Sequence, residues 1–317
     1  MRFAILGAGA VGGFYGALLS RSGNDVSVVA RGAHLEAIRR NGMRIESGAV
    51  GSFTARIGAE SDPARIGPVD TVIVAVKAYD NPTALPLLPP LVGPDTTVLT
   101  VQNGVESPEQ VAAVVGERQT IGGATYIATA IDGPGVIRQT GTHRRVVFGE
   151  VFQATSTVSD RVRTIETVMK AADIFAEAVP NGWPAIWEKF TFLAPFAAFT
   201  GAARLPLGPV WGDPDGRRAI LEAAAEVEAV ARASGIDLPD DLAPRREKYY
   251  STIPPSTRAS LLIDLSQGRR IEVESLLGAV VRRGRATGVP TPMIEALYAV
   301  LKPHAGGADA VKQWQEP

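Results

Sequence analysis

The chain has 317 residues, with 32 Lys+Arg against 33 Asp+Glu, three His and no Cys. A formal charge of −1 gives no global attraction to nucleic acid or anionic lipid, and 45% hydrophobic residues over this length fit a folded protein of one large or two ordinary domains. Without cysteine there are no disulfides, thiolate-held zinc or iron–sulfur centres and no cysteine nucleophile. His34, His143 and His304 are too scattered for a histidine-based metal site or triad, and no metal is expected.

The opening MRFAILGAGAVGGFYGALL is apolar, but glycines interrupt it and it runs on into SRSGND, so it reads as structure and not as a secretory leader. No apolar run reaches the ~18 residues of a membrane-spanning helix, so no membrane association is expected and the chain reads as cytoplasmic. Residues 2–6 form a β-prone run that stops at Gly7, and FYGALLSRSG then reads as a helix ended by Gly23. Residues 26–30 are the next strand, and AHLEAIRRNG a helix ending at Gly42, with Arg39 and Arg40 near its negative C-terminal dipole. The near-continuous apolar runs at 69–76 and 96–104 read as strands covered on both faces. A helix follows, with Ser107 as N-cap and Pro108 at its first position. Strands alternating with helices imply βαβ units and a parallel sheet.

From residue 120 the rhythm changes. TIGGATYIATAI, GVIRQTG and RRVVFGE are separated by GPG and GTH and read as three consecutive antiparallel strands. A helix at 159–173 and a strand at 174–179 close the first domain, and PNGWP at 180–184 reads as the linker. Beyond it the pattern is helical: from near Ala185, then 214–234, 241–250, 257–267, 271–287 and 292–302. The expected fold class is α/β, an N-terminal Rossmann-type domain (1–180) followed by an all-α C-terminal domain (181–317).

The sharpest local signal is Gly7-Ala8-Gly9-Ala10-Val11-Gly12, which follows a strand and opens a helix. In such a loop the first glycine allows the tight turn, the second admits a pyrophosphate to the backbone, and the third lets helix and strand pack closely. The helix N-terminus offers unpaired N–H groups and partial positive charge to the phosphates. Sites that select NAD place an acid at the end of the second strand; here that place holds Arg31, which can pair with a 2′-phosphate, so NADP(H) is the expected cofactor. Lys77 and Asn103 fall just past the next two strands, at the sheet edge where ligands of open α/β sheets bind. Taken singly, a lysine there is often a solvated stop and Asn-Gly often a turn.

The glycine loop, Arg31-Gly32, VAVKAY around Lys77 and QNGV around Asn103 together resemble the ketopantoate reductase (2-dehydropantoate 2-reductase) family. The likeness continues through Trp187-Glu188-Lys189-Phe190, Ser260–Leu265, Arg269–Glu272 and Gly288–Pro292, nearly the whole chain. It implies NADPH-dependent reduction of a small 2-oxo acid to a 2-hydroxy acid, as in pantothenate biosynthesis. The resemblance puts the glycine loop, Arg31, Lys77 and Ala128 along the cofactor and Asn103 between nicotinamide and substrate. Lys189 matches the catalytic lysine, Glu272 an acid beside cofactor and substrate, and Ser260 a substrate contact. On its own Lys189 is a helix lysine of the usual solvated kind, and Glu272 a routine acid early in a helix; the resemblance gives them their roles. The chemistry agrees: hydride delivery to a carbonyl builds negative charge on oxygen, which an ammonium stabilises and protonates.

The match breaks at one place. The family pattern has asparagine four and eight residues after the lysine; here those positions are Leu193 and Ala197, and no asparagine follows Asn181. Pro195 lies in the same segment and is expected to kink its helix. Loss of polar contacts changes specificity, so the expected substrate is bulkier or less polar than ketopantoate, with Ser256, Thr257, Arg258 and Thr200 as replacement contacts. Two alternatives stay open: the same fold acting on another carbonyl or an imine, and a decayed NADP(H)-binding sensor. Ala223, Ala224, Ala225, Ala229 and Ala231 give one helix a small-residue face suited either to packing within the domain or to a homodimer.

Overall fold

The computed structural model describes residues 1–154 and 156–312. They form two compact units: Met1–Gln102 with Ser107–Ala185, and Asn103–Glu106 with the chain from Ile186 onward. The strands are β1 (Arg2–Leu6), β2 (Asp25–Val29), β3 (Met43–Ser47), β4 (Phe53–Ala55), β5 (Gly58–Glu60), β6 (Thr71–Val74), β7 (Thr97–Thr100), β8 (Thr120–Gly133), β9 (Val136–Glu150) and β10 (Phe175–Asn181). The α-helices are α1 (Ala10–Arg21), α2 (Gly32–Asn41), α3 (Asn81–Ala84), α4 (Ser107–Val115), α5 (Asp160–Ala171), α6 (Trp183–Ala203), α7 (Leu207–Gly212), α8 (Pro214–Ala233), α9 (Leu242–Thr252), α10 (Ser260–Ser266), α11 (Ala279–Thr287), α12 (Pro292–Leu301) and α13 (Ala308–Val311).

The first unit is built on one mixed sheet, ordered β4-β3-β9-β8-β7-β6-β1-β2-β5, with β10 added beside β9. Its central pairs, from β5 through β2, β1, β6 and β7 to β8, are all parallel. Side chains alternate across a strand. Phe3 and Ile5 of β1 therefore join one buried cluster with Phe14, Leu18 and Ile38, while Ala4 and Leu6 join another with Val72, Val74, Leu85 and Leu88. Coverage of both faces explains the unbroken apolar runs. The register sets Leu6 opposite both Val29 and Val74, and Val74 opposite Thr100, so four strand ends line up at one edge.

Residues 120–150 form two long strands where three were expected. The register steps from Ile127–Arg144 to Thr129–Gln139, so Thr140–His143 bulge out without ending β9. Gly141 accommodates the bulge with φ +73°, in the region open chiefly to glycine. The short strands β3, β4 and β5 lie in a stretch, 43–60, where no strand was expected. Of the expected linker, only Gly182 separates the end of β10 from the start of α6.

The second unit is helical. α8 packs against α7, α11 and α12, and Glu226 of α8 caps α12 by accepting from the Met293 and Ile294 N–H groups at 2.8 and 2.9 Å. Ala223, Ala224 and Ala231 are fully buried within the chain, whereas Ala225 and Ala229 are exposed. The alanine face thus packs largely within its own unit. The helix expected over 271–287 starts at Val273 and passes through a π-helical turn, Glu274–Gly278, before α11. Among the described residues no helix is long and apolar enough to cross a membrane.

Candidate active site

Gly7 follows β1 directly and has φ +103°. A Cβ there would lie 2.7 and 2.8 Å from Val76 Cγ1 and N, so only glycine fits. Gly9 is the N-cap of α1 with no side-chain cap, and a Cβ built on it meets nothing within 4 Å. At Gly12 a Cβ would sit 2.2 Å from the Gly7 carbonyl oxygen and 2.8 Å from Ile5 Cγ2. The three glycines therefore differ as their roles demand: a strained turn, an open approach and a close helix–strand contact. Ala8 is buried, Ala10 and Val11 are half-buried in the first turn of α1, and that turn carries no acid. Open space over uncapped N–H groups, with no acid in the helix's own first turn, suits a pyrophosphate.

Around this loop the unit holds two features that the sequence did not reveal. His34 accepts at Nδ1 from the Gly135 N–H (3.0 Å), so its neutral ring carries the proton on Nε2, which donates to the Ala8 carbonyl at 2.7 Å. Gln102, buried at the end of β7, donates from Nε2 to the Val76 carbonyl (2.9 Å) and to Asn81 Oδ1 (2.6 Å). Asn81 in turn donates to Gln110 Oε1 at 2.6 Å. This network fixes the chain just past β6, where Lys77 stands half-buried ahead of a short 3₁₀ turn. Asn81 carries no periodicity or motif, Gln102 stands in QNGV with no role assigned to it, and His34 is three residues into a helix that reads as ordinary. Arg31 is the N-cap of α2; its guanidinium is 84% exposed and lies 3.6 Å from Asp80. Ala128 is exposed on β8 at its register step.

In the second unit Lys189 of α6 donates from Nζ to Asn103 Oδ1 at 2.8 Å. Burial holds the Lys189 ammonium down to about 8, against an opposing pull from the charge of Glu272. Glu272, buried at 5% exposure, stands immediately before the helix that opens at Val273. Asn103, Lys189 and Glu272, far apart in sequence, are thus one electrostatic group. Next to Lys189, Glu188 is paired closely with Arg245. Leu193 is half-buried and Ala197 fully buried on the same helix. Pro195 is buried inside α6, which continues through it. Ser260 is exposed at the start of α10. Of the expected replacement contacts, Thr200 is buried and its hydroxyl is spent on the Phe196 carbonyl (2.7 Å), whereas Ser256 and Arg258 are exposed and Thr257 half-buried.

Comparison with known proteins bears on the family and the fold. The family described as Ketopantoate reductase PanE/ApbA matches residues 3–153, and its C-terminal counterpart matches residues 181–305. A 2-dehydropantoate 2-reductase of Mesorhizobium japonicum is 32% identical, over 95% of this chain and 97% of its own. An uncharacterized oxidoreductase of Bacillus subtilis, YkpB, is 30% identical over 95% and 98% of the two chains. The crystal structure of 2-dehydropantoate 2-reductase from Geobacter metallireducens superposes with a TM-score of 0.88 at 30% identity, covering 95% of this chain and 99% of that one. The fold is that of a Rossmann-type unit followed by a helical unit, the ketopantoate reductase fold. The chain belongs to the ketopantoate reductase family and is an oxidoreductase of that family, whose reaction acts on a CH–OH group.

Proposed function

We propose that this protein reduces a 2-oxo acid to the 2-hydroxy acid with NADPH, and that Lys189 supplies the proton. The observation that carries the reading is the hydrogen bond from Lys189 to Asn103, with the lysine held at about 8 by burial against the pull of Glu272. A lysine so adjusted is charged at neutral pH yet close enough to its pKa to release a proton. The dinucleotide, when bound, supplies the hydride. The glycine loop Gly7–Gly12 would hold its pyrophosphate, and Arg31 a 2′-phosphate; Lys77 and Ala128 would flank it. Asn103 orients the Lys189 ammonium through the carbonyl of its amide. That ammonium would stabilise the charge growing on the carbonyl oxygen and then protonate it. Glu272 keeps the lysine charged and would receive the new hydroxyl, and Ser260 would contact the substrate acid.

The test is NADPH oxidation by the purified protein with ketopantoate and a panel of branched and aromatic 2-oxo acids. Lys189→Ala should abolish turnover and keep NADPH binding; a protein that turns over none of the panel sinks the reading and leaves a cofactor-binding sensor. A second reading, a substrate less polar than ketopantoate, is favoured by Leu193 and Ala197 standing where the family pattern has asparagine. Preference for ketopantoate over every other acid would remove it.

A further inference from the structure

Asn103 and Glu272 reach Lys189 from two separate segments, residues 103–106 and the turn that follows Glu272. Glu272 lies just outside the helix that runs from Val273 into α11, and residues 103–106 lie just ahead of α4, so both Asn103 and Glu272 sit outside regular structure. One side chain touches both. Arg282 of α11 donates from Nε and Nη2 to Glu106 at 3.2 and 2.8 Å, a two-pronged pair three residues after Asn103. The same guanidinium donates to Glu274 Oε2 at 3.0 Å and to the Glu274 carbonyl at 2.9 Å, two residues after Glu272. Tyr298 fixes the other oxygen of Glu274 at 2.7 Å, and Lys302 stands 3.7 Å from it.

The backbone is shaped for this clamp. Glu274–Gly278 is a π-helical turn, a rare distortion frequently found at functional sites. A Cβ on Gly278 would lie 2.7 Å from Glu274 Oε2 and 2.9 Å from Arg282 Nη1, so glycine leaves the room the pair occupies. Gly104, at φ +103°, brings the other segment so close that a Cβ there would meet the Ser275 carbonyl oxygen at 2.8 Å. Single exposed ion pairs contribute little, but a forked guanidinium shared by two carboxylates and a carbonyl is the geometry that does hold.

We propose that Arg282 is a positioning residue for the reaction: by tying Glu106 to Glu274 it fixes the two segments that present Asn103 and Glu272 to Lys189. The inference rests on the reading of Lys189 as proton donor, but part of its test needs no substrate. Glu272 is the carboxylate that pulls on the Lys189 charge, and neighbouring Glu188 is engaged by Arg245. Loosening the turn therefore weakens a pull that opposes burial.

The experiment is pH-dependent labelling of lysines with acetic anhydride, read at Lys189 by peptide mass spectrometry, on the full chain and on Arg282→Gln, Arg282→Lys and Gly278→Ala. In Arg282→Gln and Gly278→Ala the Lys189 midpoint should fall by about half a pH unit or more. Arg282→Lys should fall less, and Arg285→Gln, on the same helix as Arg282, which breaks an exposed pair with Glu295 of α12, should not move it. With a working substrate, kcat should drop about tenfold in Arg282→Gln while KM changes little, as expected for misplaced catalytic groups. Melting curves separate unfolding from repositioning, and Gly278→Ala displaces only side-chain tips. An unchanged or raised Lys189 midpoint in both Arg282→Gln and Gly278→Ala overturns the proposal. A lowered midpoint in a protein that reduces no 2-oxo acid would uphold the clamp and overturn the proposed function.

Discussion

His34 Nε2 donates to the carbonyl of Ala8 at 2.7 Å, and the Gly135 N–H fixes the ring from its other side at 3.0 Å. One imidazole thus ties the glycine loop to the hairpin turn between β8 and β9 and to the helix that begins beside Arg31. Both partners are backbone groups that lose their bond if the ring is removed, at about 1–3 kcal/mol for each buried group left unsatisfied. His34→Ala should weaken NADPH binding about tenfold, measured by fluorescence titration. Unaltered affinity would show that the loop is held without it.

The glycine loop offers a paired test of its own geometry. A Cβ on Gly9 meets no atom within 4 Å, whereas one on Gly12 lies 2.2 Å from the Gly7 carbonyl oxygen. Gly9→Ala should leave the melting temperature unchanged and abolish tight NADPH binding, because the methyl fills the space a pyrophosphate needs. Gly12→Ala should lower stability by about 1–3 kcal/mol through overpacking before any cofactor is added. Equal loss of stability in both variants would contradict the division of roles.

The pH dependence follows from Lys189. Its folded pKa, about 8, lies below its ordinary 10.5 because burial outweighs the pull of Glu272. The donating ammonium is present below about 8 and lost above it, so kcat for reduction should fall as pH rises through that value. Glu272→Gln removes the group that raises the pKa, so the falling limb should move to lower pH. Stability runs the other way. Between about 8 and 10.5 the unfolded chain binds more protons at this position, and the Lys189 contribution to stability rises with pH. A limb that stays in place in Glu272→Gln would remove the carboxylate from the site.

Cofactor choice should turn on Arg31 and Asp80. The guanidinium is exposed and rests 3.6 Å from the carboxylate, which shares its charge. Arg31→Ala should raise the KM for NADPH about tenfold and leave that for NADH nearly unchanged, since an exposed charged hydrogen bond to a phosphate is lost in only one case. Asp80→Asn frees the arginine from its anion and should shift the preference further toward NADPH. Steady-state kinetics with both cofactors decides it, and equal effects on the two would place Arg31 away from the 2′-phosphate.

What was legible in the sequence was whatever follows a period or a motif. The alternation of strand and helix, the glycine loop and the helical second half all rest on hydrophobic spacing and on positions where only glycine fits. The Thr140–His143 bulge was hidden because a Gly-Thr-His stretch looks the same ending a strand as kinking one. The short strands over 43–60 are stabilised by neighbours such as β9 and β2, not by their own pattern. At the candidate site Asn103 could be named from its place past a strand end, Lys189 and Glu272 only through family likeness, and their hydrogen bond and shared field belong to the folded chain. The roles of His34, Gln102, Asn81 and Arg282 were invisible for the same reason: each acts on backbone or side chains brought near by folding.

Specificity can be tested at the two positions that break the family pattern. Leu193 and Ala197 lie four and eight residues after Lys189 on α6, on one side of the helix. They are not equivalent in the fold: Leu193 retains some surface, while Ala197 is 1% exposed. An asparagine at 193 has somewhere to point, and a polar group there would hydrogen-bond a polar substrate and penalise an apolar one. Leu193→Asn should therefore raise kcat/KM for ketopantoate relative to a branched apolar 2-oxo acid by about tenfold, the effect of one added hydrogen bond. Ala197→Asn should instead lower the melting temperature, because a larger polar side chain must enter a filled interior. Measured together, the two variants separate substrate contact from packing. An Ala197→Asn protein as stable as the parent and improved on ketopantoate would show that position 197 faces the substrate after all, and a Leu193→Asn protein without any change in preference would remove Leu193 from the pocket wall.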